Sequence, residues 1–186
     1  MAKSKLDLYE KTIESNEVYS GKVINVKSEK VLLPNGKTAH RDVVEHPGAV
    51  AVAAITENNE LLMVKQFRAG PKKVLLEIPA GKLEYGENPA ECAIRELEEE
   101  TGFLATNIFK VAETYTSPGF ANELLHIYVA KDLKLTSTNP DEDEFLEIEK
   151  IPISELKKMV DRFEICDAKS VVAILMSEKY MYQEEF

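Results

Sequence analysis

Residues Gly81–Phe103, reading GKLEYGENPAECAIRELEEETGF, constrain the fold of this chain more than any other stretch. Their second half predicts a helix with both ends legible. Asn88 is a favoured N-cap, Pro89 suits the first helical position, and Glu91, three residues after the cap, fits a capping box. Gly102 supplies the left-handed residue that stops a helix. Between these ends Ala90, Ala93, Ile94 and Leu97 recur at helical spacing and form an apolar stripe for a core.

The acidic residues of this helix carry the chemical information. Glu96, Glu99 and Glu100 fall within an arc of roughly 100° beside the apolar stripe. Glu96 is i,i+3 to Glu99 and i,i+4 to Glu100, and such like-charge pairs each cost about 0.2–0.5 kcal/mol. Hard divalent cations need clustered oxygen ligands, so the arc reads as a metal site. Taken alone, a glutamate run more often means a solvated acidic face. The preceding loop with Gly81, Gly86 and Glu87 hands the chain to the helix. Arg95 can pair with Glu99 or Glu98 and hold the cluster in place.

Gly81, Glu87, Arg95-Glu96-Leu97, Glu99-Glu100 and Gly102-Phe103 are nine defined positions at fixed spacing. That pattern resembles the complete signature of the Nudix hydrolases, and nothing in the chain departs from it. The resemblance implies cleavage of nucleoside diphosphates linked to another moiety, with Mg²⁺, or Mn²⁺ as the alternative, bound by the helix glutamates.

Composition narrows the partners. A formal net charge of −10 argues against nucleic acid and anionic membrane, which need clustered Lys and Arg. It leaves room for a small anionic substrate, because bound metal reverses the local field. The 186 residues, 44% of them hydrophobic, suit one soluble domain with an extension. Cys92 and Cys166 lack ligand spacing and read as reduced thiols. With no apolar leader or membrane-length run, a cytoplasmic location is expected.

Along the chain, Lys11 to about Glu45 has β character. Val18, Val23, Ile24 and Val26 mark one or two strands, and Pro34-Asn35-Gly36 is a hairpin turn from which Lys37–Val44 returns antiparallel. Residues 1–46 are thus an N-terminal β-hairpin extension, and residues 47–186 the main domain. Ala49–Thr56 is a small apolar run suited to a strand buried on both faces. Further strands are expected at Leu61–Phe67, Val74–Ile78, Ile108–Thr116, Leu124–Ala130 and Phe145–Ile151, with Lys131–Pro140 a polar connection. A helix capped by Ser154 should run to about Arg162. A last helix, about Ala168–Tyr182, should turn Val171, Val172, Leu175 and Met176 to the core. The expected fold is α+β: a mixed β-sheet in an α/β/α sandwich with an N-terminal antiparallel β extension.

Flanking pieces refine the resemblance. Lys65-Gln66-Phe67-Arg68, Leu76-Glu77-Ile78-Pro79-Ala80-Gly81, Ser117-Pro118-Gly119 and Asp141-Glu142-Asp143-Glu144 look like the ADP-ribose pyrophosphatase branch. In that branch a proline follows the box at about this interval, here Pro118. The resemblance implies that the Ala80 carbonyl, Glu96 and Glu100 hold metal, with Glu99 a further ligand or supporting catalytic carboxylate and Glu144 joining from the acidic turn. Glu142 is the implied general base. Arg68 should contact the diphosphate or a ribose, Glu123 the terminal ribose, and Phe120 a base or the pocket wall. Relatives are dimers that exchange the N-terminal block, so Arg41 should reach substrate in a partner subunit. Arg68 also fits an ordinary strand-end arginine, residues 141–144 a solvated turn, and Glu87 a support for loop and helix. His126 alternates with apolar neighbours and reads as packing.

The expected activity is hydrolysis of ADP-ribose to AMP and ribose 5-phosphate. Bound cations would neutralise the diphosphate oxygens and acidify a water whose proton a carboxylate takes. The alternatives are another Nudix substrate, such as a nucleotide sugar or dinucleoside polyphosphate, or a module that binds ADP-ribose without cleaving it. The last would require lost box carboxylates, and here all are present.

Overall fold

The computed structural model of the protein describes residues 7–137 and 145–181. Two compact units divide them. One takes the chain up to Pro47 together with Tyr115–Glu123; the other takes Gly48–Thr114 and the chain from Leu124 onward.

The first unit is built on an antiparallel sheet of β1 (Lys11–Ser20), β2 (Asn25–Leu32) and β3 (Thr38–Glu45), in that order. The turn between β2 and β3 forms as its chemistry dictates. Gly36 takes φ 81°, and Leu33 N–H donates to Lys37 O at 2.8 Å. The sheet is more than the expected hairpin, because β1 is a full strand. Its signal was weak in sequence: every residue of β1 is exposed, so no buried face imposes an apolar alternation. The loop 115–123 joins this unit through Val44 N–H to Phe120 O at 2.7 Å and Asn122 N–H to Val44 O at 3.1 Å.

The second unit contains β4 (Ala49–Ala54), β5 (Glu60–Arg68), β6 (Lys73–Glu77), β7 (Ala80–Lys82), α1 (Pro89–Thr101), β8 (Phe103–Tyr115), β9 (Leu124–Leu135), β10 (Glu147–Pro152), α2 (Ile153–Asp161) and α3 (Ala168–Met181). One sheet has the order β7-β4-β9-β8, with β4 parallel to β9 and antiparallel to β7. A second, antiparallel, has the order β10-β5-β6.

Strand β4 shows how the sequence sets the layers. Successive side chains point to opposite faces. Val50, Val52 and Ala54 pack with Cys92, Ala93 and Leu97 of α1, whereas Ala51 and Ala53 pack with Ile153 and Leu156 of α2 and Ala173 and Ile174 of α3. Both faces are covered, so the strand is apolar throughout, and its small side chains let helices approach from either side. The result is an α+β fold with mixed strands layered between helices.

Several expectations need correction. β8 begins at Phe103, not Ile108, and β9 runs on to Leu135 through part of the expected polar connection. Strand pairing satisfies the backbone there while the charged side chains stay outside. Ser154 is not the cap of α2; Pro152 holds that position, and no side chain bonds to the helix end. On α3, Val171 and Val172 pack against the core, partly buried, as expected, but the fully buried residues among those described are Ser170, Ala173, Ile174 and Ser177, and Leu175 is 53% exposed. The stripe is offset because two serines spend their hydroxyls internally, Ser170 on Asp167 and Ser177 on Ile174 O. No helix among the described residues is long and apolar enough to cross a membrane.

Candidate functional site

Helix α1 forms with the ends its sequence dictates. Asn88 is extended at φ −71°, ψ 126°, and its side chain accepts Ala90 N–H at 2.8 Å. Gly102 adopts φ 71° and donates to Glu98 O. The expected capping box does not form: Asn88 accepts the N–H of Ala90 rather than that of Glu91, and Glu91 returns no side-chain bond among the described residues. Ala93 and Leu97 are fully buried beneath the helix. That packing fixes its rotation and directs Glu96 and Glu100 at β7.

The approach there is close. Glu96 lies so near Gly81 that a Cβ on residue 81 would fall 1.9 Å from Glu96 Cδ. One turn on, Glu100 is 3% exposed, and its Oε2 accepts Ala80 N–H at 3.0 Å. Two carboxylates thus meet the backbone of two adjacent residues, one of them a glycine whose missing side chain makes the space.

The third glutamate is held differently. Arg95 Nη1 lies 2.9 Å from Glu99 Oε2 and 2.9 Å from Glu96 Oε1. Its other nitrogens fork onto Glu87, Nε to Oε1 at 3.0 Å and Nη2 to Oε2 at 3.1 Å. Glu87 also accepts Glu84 N–H at 3.0 Å, so it ties the loop to the helix. The hydrogen bonds from Arg95 hold the Glu87 carboxyl down at about 2, and they raise the guanidinium in turn. Arg95 therefore answers part of the repulsion along the arc from within the helix. Among the described residues, no three His, Cys, Asp or Glu side chains close into a cation cage.

The residues nevertheless fit a divalent cation. Glu96 and Glu100 offer carboxylate oxygens, the Ala80–Gly81 backbone lies against both, and Gly81 leaves room that any Cβ would fill. All-oxygen donors suit a hard ion such as Mg²⁺ or Mn²⁺.

Arg68, at the end of β5, is no idle surface arginine. Its Nε donates to Glu77 Oε1 at 3.0 Å and its Nη2 to Oε2 at 2.8 Å. Glu77 is 1% exposed. Burial opposes its charge, but the hydrogen bonds from Arg68 and the nearby Lys169 ammonium outweigh that and lower its pKa. Lys169 of α3 bonds the same Oε2, and Asp167 lies 3.0 Å from the Lys169 ammonium. Sequence reading missed this cluster. Its one signal was an acidic residue inside the apolar run Val74–Ile78, since a carboxylate buried in a strand needs cations brought from elsewhere in the fold.

Arg41, Phe120 and Glu123 belong to the first unit. Arg41 forks onto Glu10 at 2.8 and 3.0 Å. With Glu29, Pro118 and Phe120 it lines an open cavity of about 390 Å³. Phe120 is 57% exposed, which leaves its ring face available. Glu123 accepts the Thr116 hydroxyl at 2.6 Å and lies 3.6 Å from His46 Nδ1. In the second unit, His126 is buried in β9 with Nδ1 2.9 Å from Glu113 Oε1 of β8. Cys92 is buried under α1, and burial pushes its thiol up to about 12; Cys166 is exposed. Glu142 and Glu144, expected as general base and metal ligand, lie outside the described residues.

Comparison with known proteins shows the family. Residues 45–171 match the NUDIX domain, and residues 10–44 match the nucleoside diphosphate sugar hydrolase N-terminal domain. An ADP-ribose pyrophosphatase of Bacillus subtilis is 48% identical over 90% of this chain and 91% of its own. A methanol dehydrogenase activator of Bacillus methanolicus is 46% identical over 89% and 90%. The crystal structure of an ADP compounds hydrolase has the same fold, with TM-score 0.82 at 22% identity over 92% of this chain and 94% of that one. With the NUDIX match spanning most of the chain and close relatives covering nearly all of it, the protein belongs to the Nudix hydrolase family and is a Nudix pyrophosphohydrolase.

Proposed function

We propose that the protein hydrolyses the diphosphate of ADP-ribose, giving AMP and ribose 5-phosphate, with Mg²⁺ or Mn²⁺ as cofactor. The observation that carries the chemistry is the seating of Glu96 and Glu100 against the Ala80–Gly81 backbone. The substrate rests on the 48% identity to an ADP-ribose pyrophosphatase along nearly the whole of both chains.

In this reading Glu96, Glu100 and the Ala80 carbonyl hold the ions, with Glu99 beside them and Glu144 contributing from its own segment. A bound divalent cation neutralises phosphate oxygens and lowers the pKa of a water. Glu142 takes the proton from the attacking water. Arg68, whose Nη1 makes no hydrogen bond among the described residues, offers that N–H to a phosphate or ribose oxygen. Arg41 and Phe120 serve the nucleoside end, and Glu123 the terminal ribose. The protein works as a homodimer with exchanged N-terminal strands. In support, β1 is an edge strand that leaves Ile13, Val18 and Tyr19 each about half exposed or more, apolar area that a second copy would cover.

A second reading, a nucleotide sugar as substrate, is favoured by the match of residues 10–44 to the nucleoside diphosphate sugar hydrolase N-terminal domain. The deciding experiment is incubation with ADP-ribose and a panel of nucleoside diphosphate derivatives, with Mg²⁺ and with chelator, identifying products. AMP and ribose 5-phosphate should form only with metal. If kcat/KM for another diphosphate exceeds that for ADP-ribose about tenfold, a gap of about 1.4 kcal/mol in transition-state stabilisation, the substrate assignment falls. Oxygen-labelled water identifies the phosphorus attacked.

A further inference from the structure

The ion cluster around Glu77 joins three elements: Arg68 of β5 and Lys169 of α3 both reach Glu77 of β6, and Asp167, just before α3, balances Lys169 at 3.0 Å. Arg68 alone neutralises Glu77 with a two-pronged bond. Lys169, from the first turn of α3, adds a second cation on Oε2 while keeping only 14% of its side chain exposed. The next residue makes a second tie. Ser170 Oγ accepts Ile78 N–H at 2.9 Å and donates to Asp167 Oδ2 at 2.6 Å, and Asp167 also accepts Ser170 N–H at 3.0 Å.

Both ties grip the two residues before Pro79. From there the chain is fixed atom by atom toward the glutamates. Pro79 has its φ locked by its ring, and its carbonyl accepts Val52 N–H at 2.9 Å. Ala80 N–H goes to Glu100, and Gly81 meets Glu96. A shift at Glu77 or Ile78 has little slack to absorb it before Ala80.

We infer that Lys169 and Ser170 are positioning residues for the hydrolysis: α3 clamps Glu77 and Ile78 so that Ala80 and Gly81 stay aligned with Glu100 and Glu96. This rests on the cation-dependent reading above. Groups that orient metal ligands from behind typically change affinity or activity about 10–100-fold when removed. Removing Lys169 leaves Glu77 still paired with Arg68, and leaves Asp167, which loses its cation, still accepting Ser170 N–H and Oγ–H.

The test uses the full chain as Lys169→Met, Lys169→Arg and Ser170→Ala. It reads Mn²⁺ affinity by electron paramagnetic resonance without substrate, kcat and KM for ADP-ribose, and Tm. Lys169→Met should weaken Mn²⁺ binding and lower kcat, each about tenfold, with KM nearly unchanged, and Lys169→Arg should restore most of both. Ser170→Ala should move the same two quantities and stands in should Lys169→Met fail to fold. A lower Tm with Mn²⁺ affinity and kcat unchanged assigns these residues a merely structural role and overturns the inference. So does Lys169→Arg failing as badly as Lys169→Met. Loss of the functional reading shows separately: wild-type protein whose Mn²⁺ binding is absent, or unaltered by Glu96→Gln, removes that reading and the inference with it.

Discussion

Gly81 illustrates how one missing side chain serves the site. A Cβ there would fall 1.9 Å from Glu96 Cδ, yet the obstructed group is the end of a flexible side chain. Gly81→Ala should therefore fold with a Tm close to wild type, because the carboxylate swings aside. Its kcat should fall about a hundredfold, as expected when a catalytic group is misplaced by about 1 Å. A drop in Tm with full activity would contradict this. Glu96→Gln and Glu100→Gln should abolish turnover with circular dichroism unchanged; near-native rates at saturating Mg²⁺ would refute the metal assignment. Glu96, Glu100 and Ala80 were legible as a group from spacing and resemblance. The Arg95–Glu99 pair was legible too, at i,i+4 spacing; the role of Glu77 was not, because an ion pair between distant residues leaves no periodic trace in sequence.

At the scale of the element, α1 depends on its first turn and on the loop before it. Asn88→Ala removes the acceptor for Ala90 N–H and should cost about 1 kcal/mol, measured by urea denaturation. The Glu87–Arg95 fork adds a pH dependence whose sign follows from linkage. The Glu87 carboxyl sits at about 2, below its ordinary 4.5, so the folded state binds its proton less readily than the unfolded one. Its stabilisation is complete above about pH 4.5 and lost as pH falls toward 2. Glu87→Gln should therefore narrow its stability gap to wild type across that window. The helix was easy to read because its caps and stripe are local. The extension of β9 to Leu135 was not, since ladder pairing, which the sequence does not record, carries polar residues into a strand.

For the whole molecule, the exposed apolar residues of β1 set the test of assembly. Paired Ile13→Lys and Val18→Lys changes should convert a dimer to monomer in analytical ultracentrifugation, since charges on an edge strand block edge pairing. Activity should fall with the loss of the partner's Arg41. A monomeric wild type would refute the exchanged-strand proposal.

The sequence by itself determined helix α1, its caps, the apolar β4 and the family, because each is written in near-neighbour spacing. Only the tertiary structure decided that Glu96 rests on Gly81, that Arg95 also forks onto Glu87 in the preceding loop, and that α3 reaches Glu77. Those contacts join residues up to 92 positions apart. Chain spacing encodes which face a side chain occupies, but packing alone decides what waits for it there.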